Sequence, residues 1–368
     1  MIFTYTTGTT NTPYTITFNE NTECDILIVG GGGVGDGEIG GGGGGGAVLY
    51  AQGVIIQPNT YNINVGKGGA EDNNGNATSA FGAICLGGGS TLRVGWATPN
   101  NGRDGGSGSG GSSGGGSTSA GGGIGTSFTG AMLASGKLYN GNFGGFGGPQ
   151  LTHSGGQPVS AGGGGGANQQ RKSTTNTVRY NNASNHTAWF NAGADGSGGD
   201  GVLIHITGTD YLWGGGGGGG SYQTLAGMGG KGGGGGGSQF DWTTPQLGGI
   251  GINNGSQGVI NGKGGDGGSG TGGGGGGGGW ANTNGGAGGS GIVIVKYKYK
   301  KIIVAQVQQT GFINYNNYVG CLLDGLISNG MIVQLKHKDY TKSFIKNNTE
   351  WDDIDNNLFN WICCINTT

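Results

Sequence analysis

An all-β, irregular fold is what the sequence predicts: short β-strands flank a bundle of packed polyglycine II helices, and a small extension follows at the C-terminus. Three observations lead there. Glycine supplies 101 of the 368 residues, several times the ~7% of ordinary chains. Many of these glycines stand in unbroken runs, at 40–46, 162–166, 214–220, 232–237 and 272–279. Between the runs lie short apolar stretches that alternate with polar residues, as half-buried strands do.

The glycines also divide the chain. One falls in residues 1–29, four in 292–368, and the other 96 between them. Three regions follow: an N-terminal strand region over 1–29 that seals the bundle, a glycine-rich body with tip loops over 30–299, and an anchoring or assembly extension over 300–368. In the first, Ile2–Tyr5, Tyr14–Phe18 and Asp25–Val29 are the expected strands. Ala47–Tyr50, Gly53–Ile56, Tyr61–Val65, Ala83–Leu86 and Val202–Thr207 recur within the body, and Ile292–Tyr299 closes it. Alternation puts His205 on the opposite side from Ile204 and Ile206. In the extension, "KIIVAQVQ" continues as a strand and "NNLFNWICCI" is an apolar terminus.

A glycine run has no side chain to bury, so its order must come from the main chain. An extended left-handed helix of three residues per turn has no internal hydrogen bonds, and every N–H and C=O must pair sideways with a neighbour. Side chains would hold such backbones apart, which makes glycine obligatory. A seven-residue run would span about 22 Å at ~3.1 Å per residue. Composition alone also fits a flexible linker, and the serine-laced stretch 105–123 could be one. The repeated apolar interruptions argue against that reading for the body as a whole.

Several function classes are excluded. Gly30, Gly32 and Gly35 satisfy G-x-G-x-x-G after a strand, but a nucleotide cradle needs a helix to start there. Asp36, Glu38 and seven consecutive glycines follow instead, and each interior glycine costs a helix roughly 1 kcal/mol. The Gly66-Lys67-Gly68 and Gly262-Lys263-Gly264 fragments lack the Ser or Thr of a phosphate loop. No cofactor is expected. The four histidines are scattered without metal-ligand spacing, and "WDDIDNN" at 351–357 reads as a solvated acidic turn rather than a calcium loop. With a net charge of −2 and 10% charged residues, neither nucleic acid nor an anionic membrane is an expected partner. No apolar run approaches the ~18 residues of a membrane span. The five cysteines, an odd number without C-x-x-C, read as buried free thiols.

The stretches "YTITFNENTECDILIVGGGG", "NINVGKGG", "SAFG", "DGVLIHITG" and "GGSGIVIVKY" resemble the glycine-rich domain of bacteriophage tail-fibre adhesins and of virion proteins from large DNA viruses. The likeness covers about residues 1–299. It implies a sandwich of packed polyglycine helices with longer loops at one end that touch a host surface. The expected protein is therefore a non-enzymatic virion component on the particle surface: a fibre, decoration or tip element. Its expected partners are other virion proteins or copies of itself, with a host-surface glycan or protein as a further candidate. The alternatives are an ice-binding glycine bundle and a self-assembling fibre protein without a receptor.

If glycine forms the body, the bulkier segments become turns and tips. These are 92–103, 124–146, 168–190, 238–246 and 280–284. Their aromatic residues suit sugar rings or protein contacts, and Trp96, Tyr139, Trp189, Tyr222, Trp242 and Trp280 are the candidate contact residues. The competing role is structural: aromatics plugging the ends of a bundle that has no side chains of its own.

Overall fold

The computed structural model describes residues 1–6, 11–91, 101–112, 122–125, 128–130, 133, 136–139, 159–167, 178–181, 187–190, 196–222, 225–240, 244–280, 283–297, 303–306, 332–337, 340–347 and 350–353. The chain divides into two compact units, Met1–Tyr297 and Lys298–Thr368. Among the described residues there are strands and sheets and no helix, so the fold is all-β.

Two five-stranded sheets build one end of the first unit. One contains β1 (Ile2–Thr4), β3 (Thr22–Val29), β4 (Val48–Ile56), β9 (Gly136–Tyr139) and β17 (Ile292–Tyr297), in the order β1-β17-β3-β4-β9. The other runs β2 (Asn11–Phe18), β5 (Asn59–Gly66), β6 (Thr78–Ala80), β7 (Ala83–Cys85) and β8 (Phe128–Gly130) in chain order. Every neighbouring pair in both sheets is antiparallel. Ile26, Ile28, Leu49, Val293 and Val295 of the first sheet pack with Ile16, Phe18, Ile63, Val65 and Cys85 of the second.

The first sheet is buried on both faces. Leu27, Val29, Val48, Ile292 and Ile294 point the other way, onto Val202, Ile204, Ile206 and Trp213. Those residues belong to or adjoin the hairpin of β13 (Val202–Ile204) and β14 (Tyr211–Trp213). Double burial explains why "ILIV" and "IVIV" are continuous apolar runs rather than alternating ones. True alternation survives in β2, which turns polar residues outward. The expected strands Ala47–Tyr50 and Gly53–Ile56 are a single strand, bent where the register slips opposite Cys24/Ile26 and where Gly53 takes φ 61°. A bulge of this kind adds one residue and turns the strand without ending it. His205 is exposed between two buried isoleucines, its Nδ1 2.8 Å from Asp210 Oδ1.

The strands run straight into the glycine body: Val29 into Gly30, Ala47 out of Gly46, Trp213 into Gly214, Ile292 out of Gly291. There the hydrogen bonds turn sideways and repeat every third residue. Gly40, Gly43 and Gly46 N–H donate to Gly278, Gly275 and Gly272 C=O. Gly42 and Gly45 donate to Gly162 and Gly165, and Gly44 and Ala47 to Gly89 and Leu86. The same segment accepts from Gly30 and Gly33, from Ser107 and Gly110, and from Gly217 and Gly220. One seven-glycine run is thus bonded to six neighbouring segments. The runs at 214–220 and 272–279 are wrapped in the same way. Gly215 and Gly218 donate to Gly232 and Gly235, Gly216 and Gly219 donate to Gly199 and Gly196, and Gly275 and Gly278 donate to Gly33 and Asp36.

Such close lateral contact leaves no room for a methyl group. A Cβ on Gly217 would sit on the Gly275 carbonyl oxygen. The described part of 105–123 also belongs to the bundle, since Ser107 and Gly110 bond the central run and Gly106 N–H donates to Gly87. There the linker reading is overturned. The remainder, 113–121, lies outside the described residues.

In the second unit β18 (Ile303–Gln306), β19 (Ile332–His337), β20 (Tyr340–Asn347) and β21 (Glu350–Asp353) form one sheet, with β18 parallel to β19 and the other pairs antiparallel. The expected acidic turn is therefore corrected over 351–353, and 354–357 lie outside the described residues. Trp351 and Asp352 stand opposite Lys346 and Ile345 in a strand pair, and β-pairing suits a stretch that opens on a tryptophan.

The packing argument is tested by comparing two alanine substitutions. Gly217→Ala is expected to cost about 3 kcal/mol or more through overpacking. Gly208 has φ 89° and nothing within 4 Å of its Cβ position, so Gly208→Ala is expected to cost only about 1 kcal/mol of backbone strain. Chemical denaturation of the two variants measures the difference.

Candidate functional site

At the end of the runs far from the sheets, the glycines give way to large side chains. The run 214–220 leads into β15 (Ser221–Tyr222), 232–237 into β16 (Gln239–Phe240), and 272–279 into Trp280. The short sheet there runs β10 (Val159–Ser160), β15, β16, with β15 and β16 parallel. Parallel runs of similar length deliver their terminal aromatics to one level. Tyr222 lies 5.5 Å from Phe240 and 5.1 Å from Trp280, ring centre to ring centre. Beneath Tyr222 and Trp280 sit Ile39, 1% exposed, and Ala161, fully buried.

Ile39 belongs to the turn that reverses the chain between the first two glycine segments. Glu38 and Ile39 both have positive φ, 49° and 59°, a cost a β-branched residue bears only when its surroundings hold it. Asp36, 4% exposed, accepts the Gly37 N–H on Oδ1 at 2.7 Å, and its main-chain N–H donates to Gly41. Where a dinucleotide fingerprint would start a helix, this chain builds a tight reversal.

Tyr222 and Trp280 are therefore the two candidate contact residues that the fold brings together. They are half-buried, with one side on the apolar floor. Phe240 completes the cluster and was not among the candidates. The signal for it was its position just after a glycine run, shared by Tyr222 and Trp280. Tyr139 stands opposite Val48 in β9, an edge strand. The segment 124–146 therefore also supplies edge strands to both sheets, in addition to any tip loop. Trp189 stands opposite Arg179 in the hairpin of β11 (Val178–Asn181) and β12 (Thr187–Phe190). Trp96 and Trp242 lie outside the described residues. In the 92–103 segment, Arg103 is engaged: its Nη1 donates to the Asp72 carbonyl at 2.7 Å.

Two of the five thiols are described, and both are buried and free. Burial pushes Cys85 up to about 12 and, with help from the Asp25 charge, Cys24 up to about 11, from an ordinary 9.0. Neutral thiols of this kind are poor nucleophiles at physiological pH.

These features define an all-β glycine-rich protein whose interior is main chain and whose larger side chains sit at its ends and edges. A family model for the glycine-rich domain matches residues 7–210, and the chain belongs to that family. No match to a curated protein was found.

Trp280→Ala should lower stability by about 1–2 kcal/mol, because it uncovers Ile39 and removes one aromatic contact. Thermal unfolding measures this. The thiols set a pH dependence. Both folded values lie above the unfolded one, so their contribution is complete below about pH 9 and is lost as pH rises toward 11 and 12. Denaturation between pH 8 and 11 should show falling stability, and Cys85→Ala should make that fall shallower.

Proposed function

We propose that this chain is a non-enzymatic structural component of a virus particle, carried on the particle surface as a fibre, decoration or tip element. The observation that supports it most is the three-residue repeat of lateral hydrogen bonds around 40–46. It is the pairing that a polyglycine II bundle requires, and we read the runs as such helices. A body of this kind is stiff and carries little chemistry, which suits a scaffold better than a catalyst. The run of apolar strand, glycine blocks and closing apolar strand matches the pattern of virion glycine-rich domains on which the resemblance rests.

In this reading the body presents the aromatic end and the bulkier loops outward. Tyr222, Trp280 and the 168–190 segment are then the contacts for a host-surface glycan or protein. The 298–368 unit serves as the anchor to another virion protein or to a second copy. Ice binding is the less favoured alternative. Exposed side chains do recur at three-residue spacing, Leu225 with Met228 and Leu247 with Ile250, and these are 47–67% exposed. They are bulky and apolar, and such faces favour protein contacts.

Purified particles of the encoding virus, labelled with antibody against the 168–190 segment, test the assignment. Surface labelling is expected, and blocking of infection would add host attachment. A particle proteome without the chain, or thermal hysteresis by the isolated protein, would overturn it.

A further inference from the structure

One place in the bundle breaks its own ladder. Gly69 N–H donates to Gly32 C=O at 2.8 Å, and the Gly69 carbonyl accepts from Gly288 N–H at 2.8 Å. Earlier in the same segment, the Gly66 carbonyl accepts from Gly291 N–H at 2.9 Å. Three residues beyond Gly69, position 72 would continue both ladders. Its N–H would meet the Gly35 carbonyl and its C=O would meet the Gly285 N–H. The chain leaves instead. Glu71 and Asp72 take φ 47° and 65°, and Asn73 N–H donates back to the Ala70 carbonyl at 3.2 Å. Asn73 Nδ2 holds the Ala70 and Glu71 carbonyls at 3.0 and 2.9 Å, and Arg103 Nη1 holds that of Asp72.

Among the described residues, the wall groups that this departure exposes have no hydrogen-bond partner: the Gly285 N–H, the Gly35 C=O and, beside them, the Val34 N–H. They line a cleft of about 340 Å³ that also includes Asp72, Lys263 and Asn284, a volume at the lower end of the ~300–1,000 Å³ of ligand sites. Val34 is only 6% exposed. A buried main-chain donor without a partner is uncommon and costs about as much as a lost hydrogen bond. The donor and acceptor stand on adjoining segments, in contact as Gly288 and Gly32 are beside Gly69, and together they are the recognition unit for one backbone amide. The walls also sit at the spacing of a bundle of bare main chains, so the occupant must be largely glycine.

Charge adds a second criterion. Glu71 and Asp72 bring carboxylates to the cleft, while Lys263 is taken up by Asp266 at 2.6 Å. The rim is therefore net acidic.

We infer that this cleft binds an extended, glycine-rich peptide segment of another polypeptide, carrying a lysine or arginine beside its glycines. The segment continues the ladder past Gly69, donating to the Gly35 carbonyl and accepting from the Gly285 N–H. This is strand addition transposed to a glycine bundle, and it stands independently of the virion assignment.

The test uses the full chain and three capped peptides: Gly-Gly-Lys-Gly-Gly, its glutamate counterpart Gly-Gly-Glu-Gly-Gly, and Ala-Ala-Lys-Ala-Ala. The readouts are the Gly285 and Val34 amide resonances. The lysine–glycine peptide should give saturable shifts at both and slow their hydrogen exchange. The alanine peptide should bind at least tenfold more weakly, and so should the glutamate peptide. Glu71→Gln with Asp72→Asn, which tolerates the same turn, should weaken the lysine peptide several-fold and remove its advantage over the glutamate peptide. Absence of any shift at Gly285 with 10 mM lysine peptide would overturn the inference. Equal binding of the alanine peptide would do the same.

Discussion

The lateral hydrogen bond between main chains governs this molecule. In a helix or strand ladder a residue's partner is set by neighbours along one or two elements. Here a single glycine segment, 40–47, bonds six others, and the direction of donation rotates every three residues. Such an arrangement satisfies main-chain groups that would otherwise be buried without partners. It also forbids side chains, since the same geometry that brings N–H to C=O places a neighbouring carbonyl where Cβ would go, as at Gly43 and Gly274.

That constraint has a thermodynamic cost and a chemical consequence. Ordering glycine costs more conformational entropy than ordering any other residue, and a net ~1 kcal/mol per hydrogen bond is small against ~1–2 kcal/mol per ordered residue. The deficit falls to the ends. At one end, strands that continue directly from the runs bury apolar side chains on both faces of the first sheet. At the other, Tyr222 and Trp280 cover Ile39 and Ala161, with Phe240 packed on Tyr222. Because the interior holds few side chains, and those mostly small serines and threonines, recognition chemistry is confined to those ends, to the bulky segments between runs, and to places where a ladder is interrupted. The cleft beside Glu71 and Asp72 is of the last kind: it is formed from the same main-chain groups that hold the bundle together.

Much of this was legible in the residues. Asp25–Val29 and Ile292–Tyr297 announce strands by their β-branched apolar runs, and the isoleucines around His205 announce which way its imidazole points. The glycine runs state their own requirement, because no other composition makes side-chain-free packing necessary. Less legible were matters of pairing. Nothing local in 47–56 shows that its two apolar stretches form one bent strand, since that depends on pairing with β3, against which β4 carries one extra residue between Ala51 and Val54. The serine-laced 105–112 segment looks like a linker until its neighbours are known. Phe240 joins Tyr222 and Trp280 only because three runs of comparable length end at the same level. Trp189 and Tyr139 were legible as bulky residues, but not as members of a hairpin and an edge strand.

By itself, the sequence determined that the described part of this chain is strand and glycine rather than helix, and where each material begins, because strand patterning and side-chain-free runs are properties of consecutive residues. Only the tertiary structure decided which run lies beside which, which strands close the ends, and where the Gly69 ladder stops at a cleft. Those choices rest on hydrogen bonds between identical glycines far apart in the chain, and identical residues carry no local mark of their partners.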